Sequence, residues 1–232
     1  MNMSQANFRT VFVIYPGMTP LDFVGPYECI SRLPNSETRV ASLQGGTVSG
    51  DELAFANTVP LADIDRCDLI CVPGGLTATQ ISLDAEFIGH IRRLGHSAQY
   101  VTSVCTGSLI LGAAGFLQGK HAACHWALRE LLPLYGAIPD AARVVRDGRL
   151  ITGGGVTAGI DFALTVLAEI AGDTVAQSIQ LRLEYAPEPP FNAGRPETAP
   201  ADVLALYTES MAHIAPQRQD EVREAARRLR VG

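Results

Sequence analysis

Short apolar, β-branched runs alternate along this chain with longer segments whose apolar positions recur every three or four residues. That alternation predicts an α/β fold with a mainly parallel sheet and helices on both faces. Val11 to Tyr15 is apolar at every position, as a central strand covered on both sides requires, and Pro16-Gly17 ends it. A helix over about Leu21 to Leu33 and a strand over Thr38 to Leu43 are expected next. Gly45-Gly46 and Gly50-Asp51 mark the turns of a small edge hairpin within Gly45 to Pro60. Asp68 to Val72 is another apolar strand, running into Pro73-Gly74-Gly75, and Asp84 to Leu94 has helical spacing. Tyr100 to Val104 forms a strand that passes directly into Cys105-Thr106-Gly107-Ser108, with a buried helix over Leu109 to Leu117 behind it. His125 to Tyr135 reads as helical. Arg143 to Arg146 and Leu150 to Thr152 flank Asp147-Gly148 as a hairpin, and helices are expected over Val156 to Ala171 and Thr174 to Glu184.

Pro187, Pro189, Pro190, Pro196 and Pro200 exclude a regular element, so residues 187–200 are expected to be an extended arm, followed by C-terminal helices over 201–231. So short a tail is too small for a second domain, and one domain over 1–232 is expected. From Gln217 to Arg230 five arginines interleave with Asp220, Glu221 and Glu224, which reads as a solvated helix face with local ion pairs. The formal charge of −6 and the absence of any lysine but Lys120 argue against nucleic-acid binding. Five cysteines are an odd number in a chain this long, and reduced thiols in the cytoplasm fit them best. The first ten residues lack a signal-like pattern, and the uncharged run from Leu94 to Gly119 is broken by polar residues and glycines. It is expected as strand, turn and helix rather than a membrane span.

The strongest chemical signal is Cys105, at a sharp strand-to-helix turn with glycine two residues on. The amide groups and partial positive charge of a helix N-terminus favour a thiolate there, so a strained backbone and a thiol below its ordinary pKa of about 8.5 are expected. Cys29, Cys67, Cys71 and Cys124 are expected to be buried hydrophobes, since no paired cysteine-histidine spacing supports a metal site. The Pro73-Gly74-Gly75 turn ends a strand expected to neighbour that of Cys105, and the amides of Gly75 and Thr106 are candidates for an oxyanion hole. Asp22 follows the first strand. It is either a helix N-terminal acid or a general acid and base whose pKa burial would raise, with Glu28 the competing carboxylate. His125 and Trp126 are candidate pocket residues.

These segments in this order, VIYPGMTPLDFVGPYE, DLICVPGG and SVCTGSLILGAAGFLQGKHAACHW, resemble the DJ-1/PfpI superfamily. RVVRDGRLITGGGVTAGIDFAL and QLRLEYAPEPPF are similar to its isonitrile hydratase branch, also called isocyanide hydratases. The resemblance runs from Arg9 to about Ala201. It implies a flavodoxin-like, class I glutamine amidotransferase-like fold, a homodimer and no cofactor or metal. By the same resemblance Cys105 matches the nucleophile, Asp22 the nearby carboxylate and Thr106 the residue that influences the nucleophile. In protease-like and amidotransferase relatives a histidine serves the cysteine, whereas here Thr106 follows it. The implied reaction adds water to an isonitrile through a thioimidate on Cys105, with Asp22 as acid and then base, and releases an N-substituted formamide. Three alternatives remain open at this point: a glyoxalase-like enzyme acting on an α-oxoaldehyde, a redox-active cysteine protein, and a small-molecule sensor domain like those of AraC-type regulators.

Overall fold

A computed structural model describes residues 8–50 and 52–231. Residues 1–7, Asp51 of the expected Gly50-Asp51 turn, and Gly232 lie outside the described residues. In chain order the elements are β1 (Phe8–Val13), α1 (Pro20–Ile30), β2 (Ser36–Ser42), β3 (Gly46–Gly50), β4 (Leu53–Pro60), β5 (Leu69–Val72), α2 (Ala78–Ile81), α3 (Ala85–Ser97) and β6 (Tyr100–Val104). They continue with α4 (Gly107–Ala113), β7 (His121–Ala122), β8 (Ile138–Pro139), β9 (Val144–Asp147), β10 (Leu150–Gly153), α5 (Ala158–Ala171), α6 (Asp173–Arg182), α7 (Ala201–Met211) and α8 (Ala215–Val231).

The main sheet has the order β3-β4-β2-β1-β5-β6-β10-β9. Neighbours from β4 to β10 pair in parallel, while β3 with β4 and β9 with β10 are antiparallel edge hairpins. Without the hairpins the order is β2-β1-β5-β6-β10, the flavodoxin-like arrangement, and its direction reverses between β1 and β5. β1 and β5 lie at the centre because they tolerate burial on both faces: Phe12, Val13, Leu69, Ile70, Cys71 and Val72 are all inaccessible. α1 and α5 pack together on one face, with α6 against α5, while α2, α3, α4 and α8 gather on the other.

Two expectations shift. The helix anticipated over His125 to Tyr135 forms as a turn and then a 3-10 helix from Arg129 to Tyr135, with Pro133 inside it unable to donate an α-helical hydrogen bond. The helix expected over Leu109 to Leu117 begins earlier, at Gly107, and ends at Ala113. Its early start depends on Gly107, where a Cβ would lie 2.2 Å from the Val72 carbonyl oxygen.

The arm over 187–200 contains no helix or strand, as expected. The carboxy-terminal helix α8 has the anticipated ion pairs, Arg223 with Asp220 and Arg227 and Arg228 with Glu224. It is not solvated all round, however. Val222, Ala225 and Ala226 are buried against the core, and Arg218 is buried with them. Among the described residues no helix is long and apolar enough to cross a membrane.

Candidate active site

The carboxyl ends of β1, β5 and β6 meet at one crevice, and three loops there are laced together. The Thr19 N–H donates to the Gly74 carbonyl at 2.9 Å, and Met18 forms an isolated antiparallel bridge with Gly75. The Gly74 N–H donates to Asp22 Oδ2 at 3.0 Å. Asp22 is therefore not a cap for its own helix. Its carboxyl crosses from α1 to the turn after β5, while Glu28, the competing acid, is exposed and paired with Arg32 at 2.7 Å.

Cys105 has φ 60°, in the left-handed region that side chains with a Cβ rarely occupy. Its N–H donates to the Gly153 carbonyl at 3.0 Å, which extends the β6–β10 ladder one residue and holds the elbow in place. The strained backbone expected from sequence is present. The expected depressed thiol pKa is not. Burial, then the Asp22 charge, push the Cys105 thiol well above its ordinary value, although the Thr106 N–H directed at the sulfur works the other way. A helix terminus was the local signal, and burial beside a carboxyl outweighs it.

Asp22 is fully buried. Desolvation raises its pKa from 3.8 to about 7, opposed by interaction with the Cys105 side chain and by the Gly74 N–H. Oδ1 makes no hydrogen bond of ordinary length. The two acidic groups thus share one site, which loses its first proton at about 7 and keeps the second, on Cys105, to higher pH.

Thr106 clamps the turn from the other side. Its Oγ1 accepts the Gly75 N–H at 2.9 Å and donates to the Gly75 carbonyl at 3.1 Å. The Gly75 N–H is therefore engaged and does not point to an oxyanion, a correction to the pairing of Gly75 and Thr106 amides expected from sequence. Gly74 is required by close approach. A Cβ there would sit 2.4 Å from the Thr106 nitrogen and 2.9 Å from Asp22 Oδ2. Gly74→Ala is accordingly expected to destabilise the fold by about 1–3 kcal/mol, measured by urea denaturation. An unchanged midpoint would show that the turn yields at no cost.

His125 and Trp126 border a cavity of about 530 Å³ with Cys124, Arg129, the Gly154–Thr157 turn and the arm residues Gly194–Thr198. Cys105 is not on its wall. Trp126 packs against Tyr207 of α7 with ring centroids 4.8 Å apart, and His125 is held below its ordinary pKa first by burial and then by the Arg218 charge. Cys29, Cys67, Cys71 and Cys124 are free and buried, and burial pushes the last three up to about 12. No group of three potential metal ligands occurs among the described residues.

Tyr207 and Arg218 were missed from sequence. For Arg218 a signal existed: it shares the 218, 222, 225, 229 spacing of the buried stripe of α8. Tyr207 had none, since α7 buries no residue and its ring meets His125 and Trp126 only through the fold.

A flavodoxin-like sheet carrying a strained cysteine elbow and a buried carboxyl defines a class of α/β proteins with a cysteine-centred site. The chain belongs to the DJ-1/PfpI family, which matches residues 9–169. It is 46% identical over 219 residues to the isonitrile hydratase of Pseudomonas putida, covering 94% of this chain and 96% of that protein. The crystal structure of a ThiJ/PfpI family protein from Pseudomonas syringae superposes with a TM-score of 0.89 at 39% identity, over 95% of this chain and 90% of that one. The HTH-type transcriptional regulator CdhR of Pseudomonas aeruginosa is 27% identical over 72% of this chain, but that match spans only 52% of the regulator.

Proposed function

We propose that this chain is an isonitrile hydratase, a lyase that adds water to an isonitrile and releases an N-substituted formamide. The observation that carries this reading is the buried Asp22 carboxyl interacting with the Cys105 side chain, with its pKa raised to about 7. An isonitrile receives both the sulfur and the proton on the same terminal carbon, so nucleophile and acid must converge on one atom. An α-oxoaldehyde takes sulfur at carbon and the proton at oxygen, which calls for an acid one bond away. The likeness to the Pseudomonas putida hydratase supports the same substrate class.

In the form with one proton on the pair, the thiol first passes that proton to Asp22; Cys105 as thiolate then attacks the isonitrile carbon while Asp22 gives that carbon the proton. The product is a thioimidate, R–N=CH–S–Cys105, and an ionised Asp22. Asp22 then accepts a proton from water as the oxygen adds to the same carbon, and returns it to nitrogen. Collapse of the R–NH–CH(OH)–S intermediate breaks the C–S bond. Asp22 takes the hydroxyl proton, the formamide leaves, and the thiolate with protonated Asp22 is restored. The Thr106 N–H aimed at the sulfur favours its anionic form in the first and last steps. The sequence of bonds needs neither a metal nor an organic cofactor.

The test is formamide production from an aryl isonitrile by the purified protein, with methylglyoxal tested in parallel. Formation of formamide supports the reading, and turnover of methylglyoxal alone overturns it.

We also propose a homodimer in a reducing cytoplasm. Free buried cysteines fit that compartment. Helix α7 buries none of its residues although it carries Val203 and Leu206, and Leu181 and Phe191 are 83% and 80% exposed. Apolar side chains left uncovered on α6, the arm and α7 suit a face between two copies. Sedimentation at micromolar concentration is expected to give the dimer mass, and a monomer would refute this.

A further inference from the structure

Helix α8 buries one arginine while its neighbours face outward and pair with acids of their own helix. Arg218 is 8% exposed and forms no ion pair among the described residues. Its Nε is buried without a partner, and its Nη2 donates to the Gly75 carbonyl over a long 3.4 Å. A buried charge left uncompensated is costly, so an anion close by is needed to offset it.

The side chains that feel the guanidinium charge include Tyr15 beyond β1, Cys124, His125 and Tyr207 of α7. None is a carboxylate. The acids near Arg218 on α8 are engaged elsewhere, Glu221 with Thr79 and Gln217, and Asp220 with Arg223. Arg129, the other cation that bears on Cys124, lies 4.0 Å from Glu130. Tyr15 and Tyr207 also feel Cys105, and Cys124 acts on it, so the guanidinium and the sulfur share neighbours. Across the Gly74-Gly75 turn lies the other unpaired charge. Asp22 accepts the Gly74 N–H and Arg218 donates to the Gly75 carbonyl, so a buried carboxyl and a buried cation grip one two-residue turn.

We propose that Arg218 is a positioning residue of the Cys105 site, fixing the Gly75 carbonyl of the turn that also holds Asp22 and supplying a cation that favours the Cys105 thiolate. The family match ends at residue 169, so this contribution comes from the C-terminal part of the chain beyond it.

The test compares the parent with Arg218→Met and Arg218→Lys. Alkylation of Cys105 by iodoacetamide is followed across pH by mass spectrometry of the Cys105 peptide, which distinguishes it from the other thiols. Arg218→Met is expected to slow alkylation about tenfold at neutral pH and raise its midpoint by about one unit, because the thiolate loses a favourable charge. Arg218→Lys is expected to keep the parental midpoint. With isonitrile, kcat of Arg218→Met is expected to fall about tenfold with KM within about twofold, since the residue does not touch substrate. An unmoved midpoint in Arg218→Met, or equal shifts in the Met and Lys variants, overturns the proposal. Arg218→Gln, which keeps a donor for Gly75 without the charge, makes the same comparison if the Met variant does not fold. Only the kinetic arm rests on the hydratase reading. If the parent fails to hydrate isonitriles, that reading fails, while the alkylation midpoint still decides the role of Arg218.

Discussion

Cys105→Ala is expected to lower formamide production by about a thousandfold or more, to the rate without enzyme, because the covalent route through the thioimidate disappears with the sulfur. Nothing else in the crevice replaces it. Cys124 is buried with its thiol pushed up to about 12, and Cys71 is inaccessible with the same elevation. Cys67→Ala, between β4 and β5 and away from the crevice, is expected to leave turnover within about twofold. The alanine variant should fold, since alanine retains the same φ of 60° and only removes a group that burial disfavours in its charged form. Formamide measured by chromatography over a single preparation of each variant distinguishes the cases. Parent-like turnover in Cys105→Ala would remove the nucleophile and with it the mechanism.

Asp22→Asn is expected to lower kcat by about 10²–10⁴-fold, the usual contribution of a positioned acid and base. In the parent, kcat/KM should rise with pH through about 7, as the pair loses the first of its two protons and the reactive one-proton form appears. At alkaline pH it should fall again when the last proton leaves. The rise through neutrality should vanish in Asp22→Asn.

Stability is expected to move the other way. The folded carboxyl holds its proton to about 7 while the unfolded one releases it near 3.8, so the folded state binds more protons between those values. Stability from this group is therefore greatest at acid pH, declines as pH rises from about 4 to about 7, and is lowest above 7. The loss amounts to at most about 4 kcal/mol from three pKa units. Asp22→Asn should thus be more stable than the parent at pH 8 and similar to it at pH 4, by urea denaturation. Equal stability at both pH values would mean that the carboxyl is not perturbed. An activity loss joined to a stability gain is the pattern of a group held in an unfavourable environment for its chemistry.

The central strands were legible because a strand buried on both faces must be apolar at consecutive positions, and Val11 to Tyr15 and Asp68 to Val72 meet that demand. The elbow was legible as well, since Cys-Thr-Gly at a strand end is a local pattern. Asp22 was singled out over Glu28 by the family resemblance and not by local pattern. Six residues along a helix turn about 600°, so the two acids point in different directions, and the position of the β5 turn gives the physical reason that Asp22 enters the crevice.

What depended on distant partners was misread or unseen. The thiol was expected low because the helix terminus is visible in sequence, whereas the opposing terms come from burial and from an acid 83 positions away along the chain. The Gly75 amide looked free because its acceptor, Thr106 Oγ1, is 31 residues away. Arg218 looked solvated because its helix is rich in acids, and its burial follows from where α8 docks.

The sequence by itself determined the α/β order of elements, the cysteine elbow, the proline arm and the family the chain resembles, because each is written in local periodicity or in a contiguous motif. The tertiary structure decided how the carboxyl reaches the sulfur, which amides remain free, the direction of the thiol's titration and the burial of an arginine from the last helix. Those depend on desolvation and on charges brought together across the sheet's carboxyl edge, and neither is a property of residues close together in sequence.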